Sequence, residues 1–191
     1  MKSTKLFNVF AIVIAFCIVS CSNNMNKTDN TSAMEKNKEA MKKVFDMFET
    51  GNSAGIENYI SDNQIDHNPP PDIKSTGIQE MKDMIAMHHT AFPDTKITIY
   101  SMVADGDKVI AHFNMKGTNI GVMGNMPATN KTIDVNGVDI VRFADGKGVE
   151  HWGYWEEMKM MNQLGIGPDM SHGQGNSTAT NEHETKPEEK K

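Results

Sequence analysis

The sequence has few cysteines and almost no arginine, and both shortages exclude classes of protein. Only two of the 191 residues are cysteines, Cys17 and Cys21, and Arg142 is the only arginine. Two closely spaced cysteines do not form a disulfide framework, so an apolar core must stabilise the fold. The net charge is −6, and no basic patch interleaved with aromatic residues is present. Nucleic acid is therefore not an expected partner.

Long apolar runs are also absent, except for one near the N-terminus. Lys2 and Lys5 precede the apolar run Val9–Val19, which is too short to span a bilayer as a mature helix. The run leads to Cys21 and resembles a bacterial lipobox, in which a signal peptidase cleaves before an acylated cysteine. We therefore expect residues 1–20 to be a lipoprotein signal peptide and Cys21 to be the lipidation site. The alternative is an ordinary secretory signal with an incidental cysteine.

Lipidation at Cys21 would anchor the protein in the cell envelope, on the periplasmic or surface side. Ser22 follows the cysteine, which in enteric-type bacteria indicates the outer membrane. Residues 21–31 are rich in Asn, Ser and Thr and predict a flexible tether, whereas residues 167–191 lack periodicity and predict a disordered tail. The remaining residues, 32–166, are predicted to form one folded domain.

Apolar spacing predicts helices in the first half of this domain and strands in the second half. Ser32–Glu35 has the capping-box pattern of a helix start, and further helices are predicted over Ser53–Ile60 and Thr76–Phe92. Gly137 predicts a bulge or bend inside one strand. The predicted strands, joined by Asp-Gly turns, are Lys96–Val103, Lys108–Lys116, Lys131–Phe143 and Val149–Trp155. Helices followed by hairpins indicate an α+β fold with helices on one face of a curved, mainly antiparallel sheet.

Both tryptophans lie in one C-terminal stretch that combines a strand with a short predicted helix, Glu156–Leu164. Large aromatic side chains beside a few polar groups are typical of a pocket wall, although a core strand can have the same composition. Strand alternation places His151, Gly153 and Trp155 on one face and Trp152 and Glu156 on the other.

Six fragments stand in a fixed order across most of the domain: Asp66–Pro69, Ala91–Asp94, Ala104–Asp107, Gly117–Thr118, Gly137–Phe143 and Asp145–Gly165. Together they resemble the SnoaL-like polyketide cyclase family, also called ester cyclases. The resemblance implies a nuclear transport factor 2-like cone, in which a curved sheet and helices enclose a pocket. It also implies cofactor-free chemistry, in which a carboxylate removes a proton next to a carbonyl and the enolate closes a ring by an aldol reaction.

The sequence departs from the family pattern at the catalytic carboxylate. The family often has an aspartate directly after the His-Trp pair, where this chain has Gly153, and another three residues later, where it has Glu156. The resemblance therefore implies Glu156 as the acid/base, with His67 as a second catalytic group. The remaining residues that we assign to the pocket are Met115, Asn119, Asp139, His151, Trp152 and Trp155.

Several of these residues also have a structural interpretation. Glu156 can be a solvated carboxylate favoured by the helix dipole, His67 can hold its loop by hydrogen bonding, and Asp139 can pair with Arg142. His88, on the buried stripe of the predicted third helix, is interpreted as a core histidine. The next residue is also a histidine, but adjacent helical side chains point about 100° apart and do not easily share one metal.

Two functions remain open. The protein either acts on a small, apolar, carbonyl-containing molecule, or binds such a molecule without catalysis. No cofactor or metal is expected. The sixteen methionines raise copper binding as an alternative, but methionine is also an adaptable core filler, which we favour. The copper ligands would be Met158, Met160, Met161, Met170 and His172. Because cones of this type pair through their sheets, the resemblance also implies a homodimer.

Overall fold

The computed structural model describes residues 30–167 of the chain. The predicted signal peptide, Cys21, Met170 and His172 lie outside the described residues. Residues 30–50 form helix α1. The elements that follow are a 3-10 turn at Ile56–Asn58, strand β1 at Ile60–Asp66, helix α2 at Ile78–Ala91, strands β2 at Lys96–Asp105, β3 at Lys108–Thr118, β4 at Thr132–Ala144 and β5 at Lys147–Trp155, and helix α3 at Glu157–Leu164.

The five strands form one mixed sheet with the order β1-β5-β4-β3-β2. Strands β2 to β5 pair antiparallel, as predicted, and the α+β fold is confirmed. At the far edge, β1 pairs in parallel with β5, which sets Asp66 beside His151. The sequence analysis predicts no strand here, because a parallel edge strand has no hairpin partner next to it in the chain.

The turn between β4 and β5 follows directly from its two residues. Asp145 and Gly146 have φ angles of 51° and 77°, and two-residue hairpin turns of this kind require positive φ at both positions. Asparagine, aspartate and glycine tolerate that conformation best. The predicted hairpin is therefore confirmed, and it brings the aromatic strand β5 against β4.

Two predicted helix boundaries are wrong. Helix α1 already includes residues 30 and 31, so Ser32 is not its N-cap. Serine costs little inside a helix, and the capping-box pattern alone does not fix where a helix starts. The helix predicted over Ser53–Ile60 is reduced to a short 3-10 turn, because Gly55 takes a left-handed φ of 79° and Ile60 begins strand β1.

Gly137 makes room for an aromatic ring and introduces no bulge in its strand. The β3–β4 register continues through the Phe113–Gly137 pair without a shift, so the predicted bulge is wrong. A Cβ atom at position 137 would lie 2.6 Å from Phe113 Cζ. The Phe113 ring in turn packs against the rings of Phe45 and Trp155, with centroid distances of 5.0 and 5.3 Å.

The inner face of the sheet supplies much of the core. Val109, Ala111, Phe113 and Met115 of β3 are all buried, as the alternation predicts. Fully burying a side chain such as Ile85 of α2 contributes roughly 1.5–3 kcal/mol. Over residues 30–167 the structure contains no helix that is both long enough and apolar enough to cross a membrane.

Candidate functional site

The helices and the inner face of the sheet enclose a cavity of about 610 Å³. Its walls are mostly apolar and include nine methionines, contributed by all three helices, β3 and the β3–β4 loop. This volume accommodates a small organic molecule, and unbranched methionine side chains adapt to ligands of different shapes. Exposed residues on the wall, among them Pro69, Pro71 and Trp155, mark its opening to solvent.

An ionisable cluster lies where β1, β5 and β4 run side by side. Asp66 is opposite His151 in the β1–β5 pairing, and Asp139 is opposite Gly153 in the β5–β4 pairing. His151 Nδ1 lies 3.0 Å from Asp66 Oδ2, and His151 Nε2 lies 3.5 Å from Asp139 Oδ1. The imidazole is thus held between carboxylates from both neighbouring strands. We call these three residues the Asp–His–Asp cluster.

The cluster is buried, and His151 and Asp66 are in their charged forms. The side chains of Asp66, His151 and Asp139 are 3%, 10% and 15% exposed. Burial opposes the charge of His151, but the neighbouring carboxylates of Asp139 and Asp66 outweigh it and raise its pKa to about 10. Burial likewise opposes the charge of Asp66, but His151 holds the pKa of that carboxyl below its usual value. At neutral pH His151 is therefore a fixed positive charge and not a general base.

Asp139 is the carboxylate of the cluster that faces the cavity. The residue lines the cavity wall, whereas Asp66 lies behind it. Asp139 Oδ1 is covered and has no hydrogen-bond partner among the described residues.

The described residues contain no group of three or more His, Cys, Asp or Glu side chains that could hold a metal ion. In the Asp–His–Asp cluster the imidazole lies between the carboxylates, so its two nitrogens face them and the donors do not converge on one point. Of the methionines considered for copper, Met160 and Met161 line the cavity, whereas Met158 is exposed.

Four of the residues assigned to the pocket from the sequence line the cavity. These are Met115, Asp139, His151 and Trp155. Asp139 does not pair with Arg142, which contacts Glu150 instead.

His67 and Trp152 lie on the outer face of the sheet, away from the cavity. Their rings stack with a centroid distance of 4.3 Å and an angle of 3°, and His67 Nε2 lies 3.1 Å from Glu150 Oε2. The assignment of both residues to the pocket is therefore corrected. Strand alternation explains the outcome for Trp152, because it points opposite to His151.

Glu156 is also outside the cavity wall, at the N-terminal end of α3. Its Oε2 accepts hydrogen bonds from Lys159 Nζ and the Asn136 backbone N–H, both at 2.8 Å. Lys159 and Asn136 together lower the pKa of Glu156. These two contacts hold the Glu156 carboxylate outside the cavity, so the geometry does not support the acid/base role that the sequence assigns to it.

Asn119 is buried, but it organises the β3–β4 loop and does not line the cavity. Its Oδ1 accepts hydrogen bonds from the Thr129 N–H and hydroxyl, at 2.8 and 3.0 Å, and its Nδ2 donates to Gly121 O at 2.9 Å. The side chain is therefore satisfied by its own loop, and its assignment to the pocket is corrected.

Two residues of the site were not assigned from the sequence. Asp66 stands in the first of the six family fragments, but the assignment fell on its neighbour His67. Alternation along β1 places Asp66 inward and His67 outward, and this signal was available only once the segment was known to be a strand. Gln64 lines the cavity, and its buried Nε2 has no hydrogen-bond partner among the described residues.

Comparison with known proteins agrees with the fold. The family described as SnoaL-like polyketide cyclase matches residues 22–164. A search of the curated proteins gives no significant match. Many solved structures are similar. One, described as a polyketide cyclase from Bacillus cereus, has a TM-score of 0.60 and 24% identity over 70% of this chain and 83% of that one.

Two Streptomyces proteins show the same similarity. AclR from Streptomyces galilaeus, described as a hydroxylase, has a TM-score of 0.59 and 24% identity over 71% of this chain and 89% of that one. IdmH from Streptomyces antibioticus, described as a polyketide cyclase, has a TM-score of 0.57 and 23% identity over 68% of this chain and 99% of that one. At these identities the structures show a shared fold only.

Proposed function

The chain belongs to the SnoaL-like polyketide cyclase family, and from this we propose that its cavity carries out cofactor-free acid–base chemistry on a small, largely apolar molecule with a carbonyl group. One observation carries the proposal. The Asp–His–Asp cluster puts a carboxylate and a fixed positive charge on the wall of an apolar cavity. The electrostatic interactions of such groups with a ligand are stronger where water is excluded.

In the proposed reaction Asp139 is the acid/base. Its carboxylate takes a proton from the carbon next to the carbonyl, and the electron pair of that C–H bond moves to form the enolate. The enolate carbon then attacks a second carbonyl of the same molecule, which forms the ring-closing C–C bond. Asp139 returns its proton to the new alkoxide, so the enzyme ends unchanged. The imidazolium of His151 stabilises the negative charge that develops on oxygen.

Asp139 compensates for the missing aspartate at position 153. The two positions face each other across β4 and β5, and a Cβ atom at Gly153 would lie 3.4 Å from Asp139 Oδ1. A carboxylate is thus present at the place where the family often has one, but it comes from the neighbouring strand. Glu156, in contrast, is held outside the cavity by Lys159 and Asn136.

The proposal is tested by exchange of solvent deuterium into a bound ketone. With 1-tetralone as the probe, we expect the wild-type protein to accelerate deuterium incorporation at the carbon next to the carbonyl, measured by mass spectrometry. Asp139→Asn, which keeps the shape of the side chain, should lower the rate by about 10²- to 10⁴-fold. Glu156→Gln is the matched control and should leave the rate unchanged.

Two results would contradict the proposed chemistry. The first is a wild-type rate equal to that in buffer although 1-tetralone binds, which would support the alternative of a non-catalytic binding protein with the same fold. The second is an Asp139→Asn rate equal to that of the wild type. Loss of exchange in Glu156→Gln alone would return the acid/base role to Glu156.

We further propose a lipid anchor at Cys21 that holds the protein in the cell envelope, and a homodimer formed through the outer face of the sheet. The anchor rests on the N-terminal sequence alone. The homodimer rests on exposed apolar residues of β2, β3 and β5.

A further inference from the structure

Gln64 is a buried polar side chain that has no partner in the fold. The residue is 5% exposed and lines the cavity, whereas its neighbour Ile65 is 55% exposed, so the alternation of β1 turns Gln64 inward. Within residues 30–167 neither amide atom of Gln64 makes a hydrogen bond. Burying an amide without a partner costs free energy, so a side chain of this kind requires an explanation.

The two atoms of the Gln64 amide have different surroundings. Nε2 lies over Gly148 of the neighbouring strand, 3.3 Å from the position of a Cβ atom built on that glycine, and it is covered. Oε1 also lacks a hydrogen bond, but it is not among the covered atoms. Because the residue lines the cavity, Oε1 is the amide atom that a ligand can reach. An amide oxygen accepts hydrogen bonds and donates none.

Gln64 stands apart from the Asp–His–Asp cluster. It precedes Asp66 by two residues on the same face of β1, which is roughly 6.5–7 Å along a strand. The wall beside the amide is apolar, since Val141 Cγ1 also lies close to the Gly148 position, at 3.0 Å. The cavity therefore has two separate polar positions, the cluster and the Gln64 amide.

We propose that Gln64 is a specificity-determining residue, whose Oε1 accepts a hydrogen bond from a hydroxyl or amide N–H group of the ligand. This rests on the proposed function, because it takes the reacting carbonyl to lie at the Asp–His–Asp cluster and the donor at the other end of the molecule. An ammonium group does not fit, because it would be buried beside Gln64 without a counter-charge. The substrate class narrows to small, largely apolar carbonyl compounds that carry a second, neutral hydrogen-bond donor.

The test compares two probes, 6-hydroxy-1-tetralone and 6-methyl-1-tetralone. Both carry the carbonyl on one side of the ring system and a substituent of similar size on the other, but only the hydroxyl can donate. Their dissociation constants are measured for the full chain by isothermal titration calorimetry, and the preference is the ratio of the two constants. Gln64→Met removes the amide but keeps an unbranched side chain of similar length. We expect it to reduce the preference for the hydroxyl probe by about three- to tenfold, as for one hydrogen bond.

The stability of Gln64→Met without ligand separates recognition from a structural role. We expect the variant to unfold at the same or a higher urea concentration than the wild type, because no hydrogen bond is lost and a covered, unpartnered nitrogen is removed. Gln79→Met is the matched control. It makes the same change at an exposed glutamine of α2 that does not line the cavity, and its preference should equal that of the wild type.

An unchanged preference in Gln64→Met overturns the inference, and so does an equal loss in Gln79→Met. A lower urea midpoint of Gln64→Met also overturns it, since the amide would then stabilise the fold. The result is independent of the exchange experiment, because it measures binding without turnover. Exchange into 1-tetralone with an unchanged preference in Gln64→Met leaves the proposed function standing and removes the role of Gln64. A lost preference in Gln64→Met without any exchange in the wild type supports that role and removes the proposed chemistry.

Discussion

His88 and His151 lie in the same small domain, but their surroundings drive their protonation in opposite directions. Burial, with a smaller effect of His89, lowers the pKa of His88 to about 4. The Thr95 hydroxyl donates to Phe92 O at 2.7 Å, so His88 Nε2–H must donate to that hydroxyl, which fixes the neutral tautomer. His88 is therefore the core histidine that the sequence predicts, although its ring also borders the cavity.

We expect the combined contribution of these two histidines to the free energy of unfolding to be greatest near pH 6.5. Unfolded His88 takes up a proton near 6.5 but folded His88 only near 4, so its contribution is lost as the pH falls from 6.5 to about 4. Folded His151 keeps its proton to about 10, so its contribution is complete below 6.5 and is lost as the pH rises to about 10. Within its window each group changes the free energy of unfolding by about 1.4 kcal/mol per pH unit.

Urea unfolding over this pH range measures both effects. His88→Gln should flatten the acid side of the profile, and His151→Gln the alkaline side. His151→Gln will also lower stability overall, because Asp66 and Asp139, with Glu80 of α2 nearby, lose the positive charge between them. An alkaline slope that persists in His151→Gln would contradict the assignment of the charge to His151.

At the residue scale, the sequence predicted the site where the signal was local. His151, Gly153 and Trp155 share the cavity face because a strand alternates its side chains, and a single sequence shows that period. Asp66 joins them only through a parallel pairing with a strand more than eighty residues away, which no local pattern reports. The family pattern indicates a carboxylate at position 156 but not its direction. Glu156 was therefore misassigned, because its ion pair with Lys159 holds the carboxylate outside the cavity.

Two loops at the opening of the cavity are connected by one side-chain contact. The segment after β1 contributes Pro69 and Pro71 to the wall, and the β3–β4 loop contributes Met123 and Met126. Asp72 joins them, because its carboxylate accepts hydrogen bonds from the backbone N–H and side-chain Nδ2 of Asn125. The opening can therefore widen only if the contact between Asp72 and Asn125 breaks and the two loops move apart.

Weakening this contact, by removing its side-chain hydrogen bond, should speed the exchange of ligand without unfolding the domain. In Asn125→Ala we expect 2-naphthol to associate and dissociate about three- to tenfold faster, since an exposed hydrogen bond contributes roughly 1 kcal/mol. The dissociation constant should change little, because both rates rise. Stopped-flow tryptophan fluorescence measures the two rates.

Asn58→Ala is the control for this change. It removes a comparable exposed hydrogen bond, from Asn58 Nδ2 to Gly55 O at 3.0 Å, at a residue that does not line the cavity. Rates that rise equally in both variants would mean that the contact between the loops does not limit access.

Among the elements, hairpins were the most predictable and β1 the least. A hairpin needs only two alternating segments and a turn such as Asp145-Gly146, all within a short stretch of sequence. A short stretch of sequence does not show why position 137 is glycine, because a larger side chain there would clash with the Phe113 ring of the neighbouring strand. Packing across strands thus decided the details that local patterns left open.

The whole molecule presents an apolar surface on the outer face of its sheet. The register aligns one residue from each of four strands into a row, and a second row runs beside it. The first row is Val103, Ile110, Ile140 and Trp152, and the second is His112, Val138 and Tyr154, with Tyr100 packed against His112. Since several of these residues are exposed, the surface suits a flat apolar partner.

We propose that a second copy of this chain covers the surface. The rows contain no charged side chain, and the ion pair of Arg142 with Glu150 lies at one end of them, so two copies related by a two-fold axis can bury the rows without burying that pair. We expect the purified protein to be a dimer by light scattering, and Val103→Glu to shift it to a monomer, because the two new carboxylates would be buried together at the interface.

Val122→Glu separates this effect from a general effect of added charge. Val122 and Val103 are the same residue type and are 59% and 62% exposed, but Val122 belongs to the β3–β4 loop and is not on the sheet. The control variant should therefore remain a dimer. A monomeric wild-type protein, or a dimer that persists in Val103→Glu, would contradict a dimer interface formed by the apolar rows. Because Asp139 and Gly153 face the opposite side of the sheet, 1-tetralone exchange should proceed equally in the monomer and the dimer.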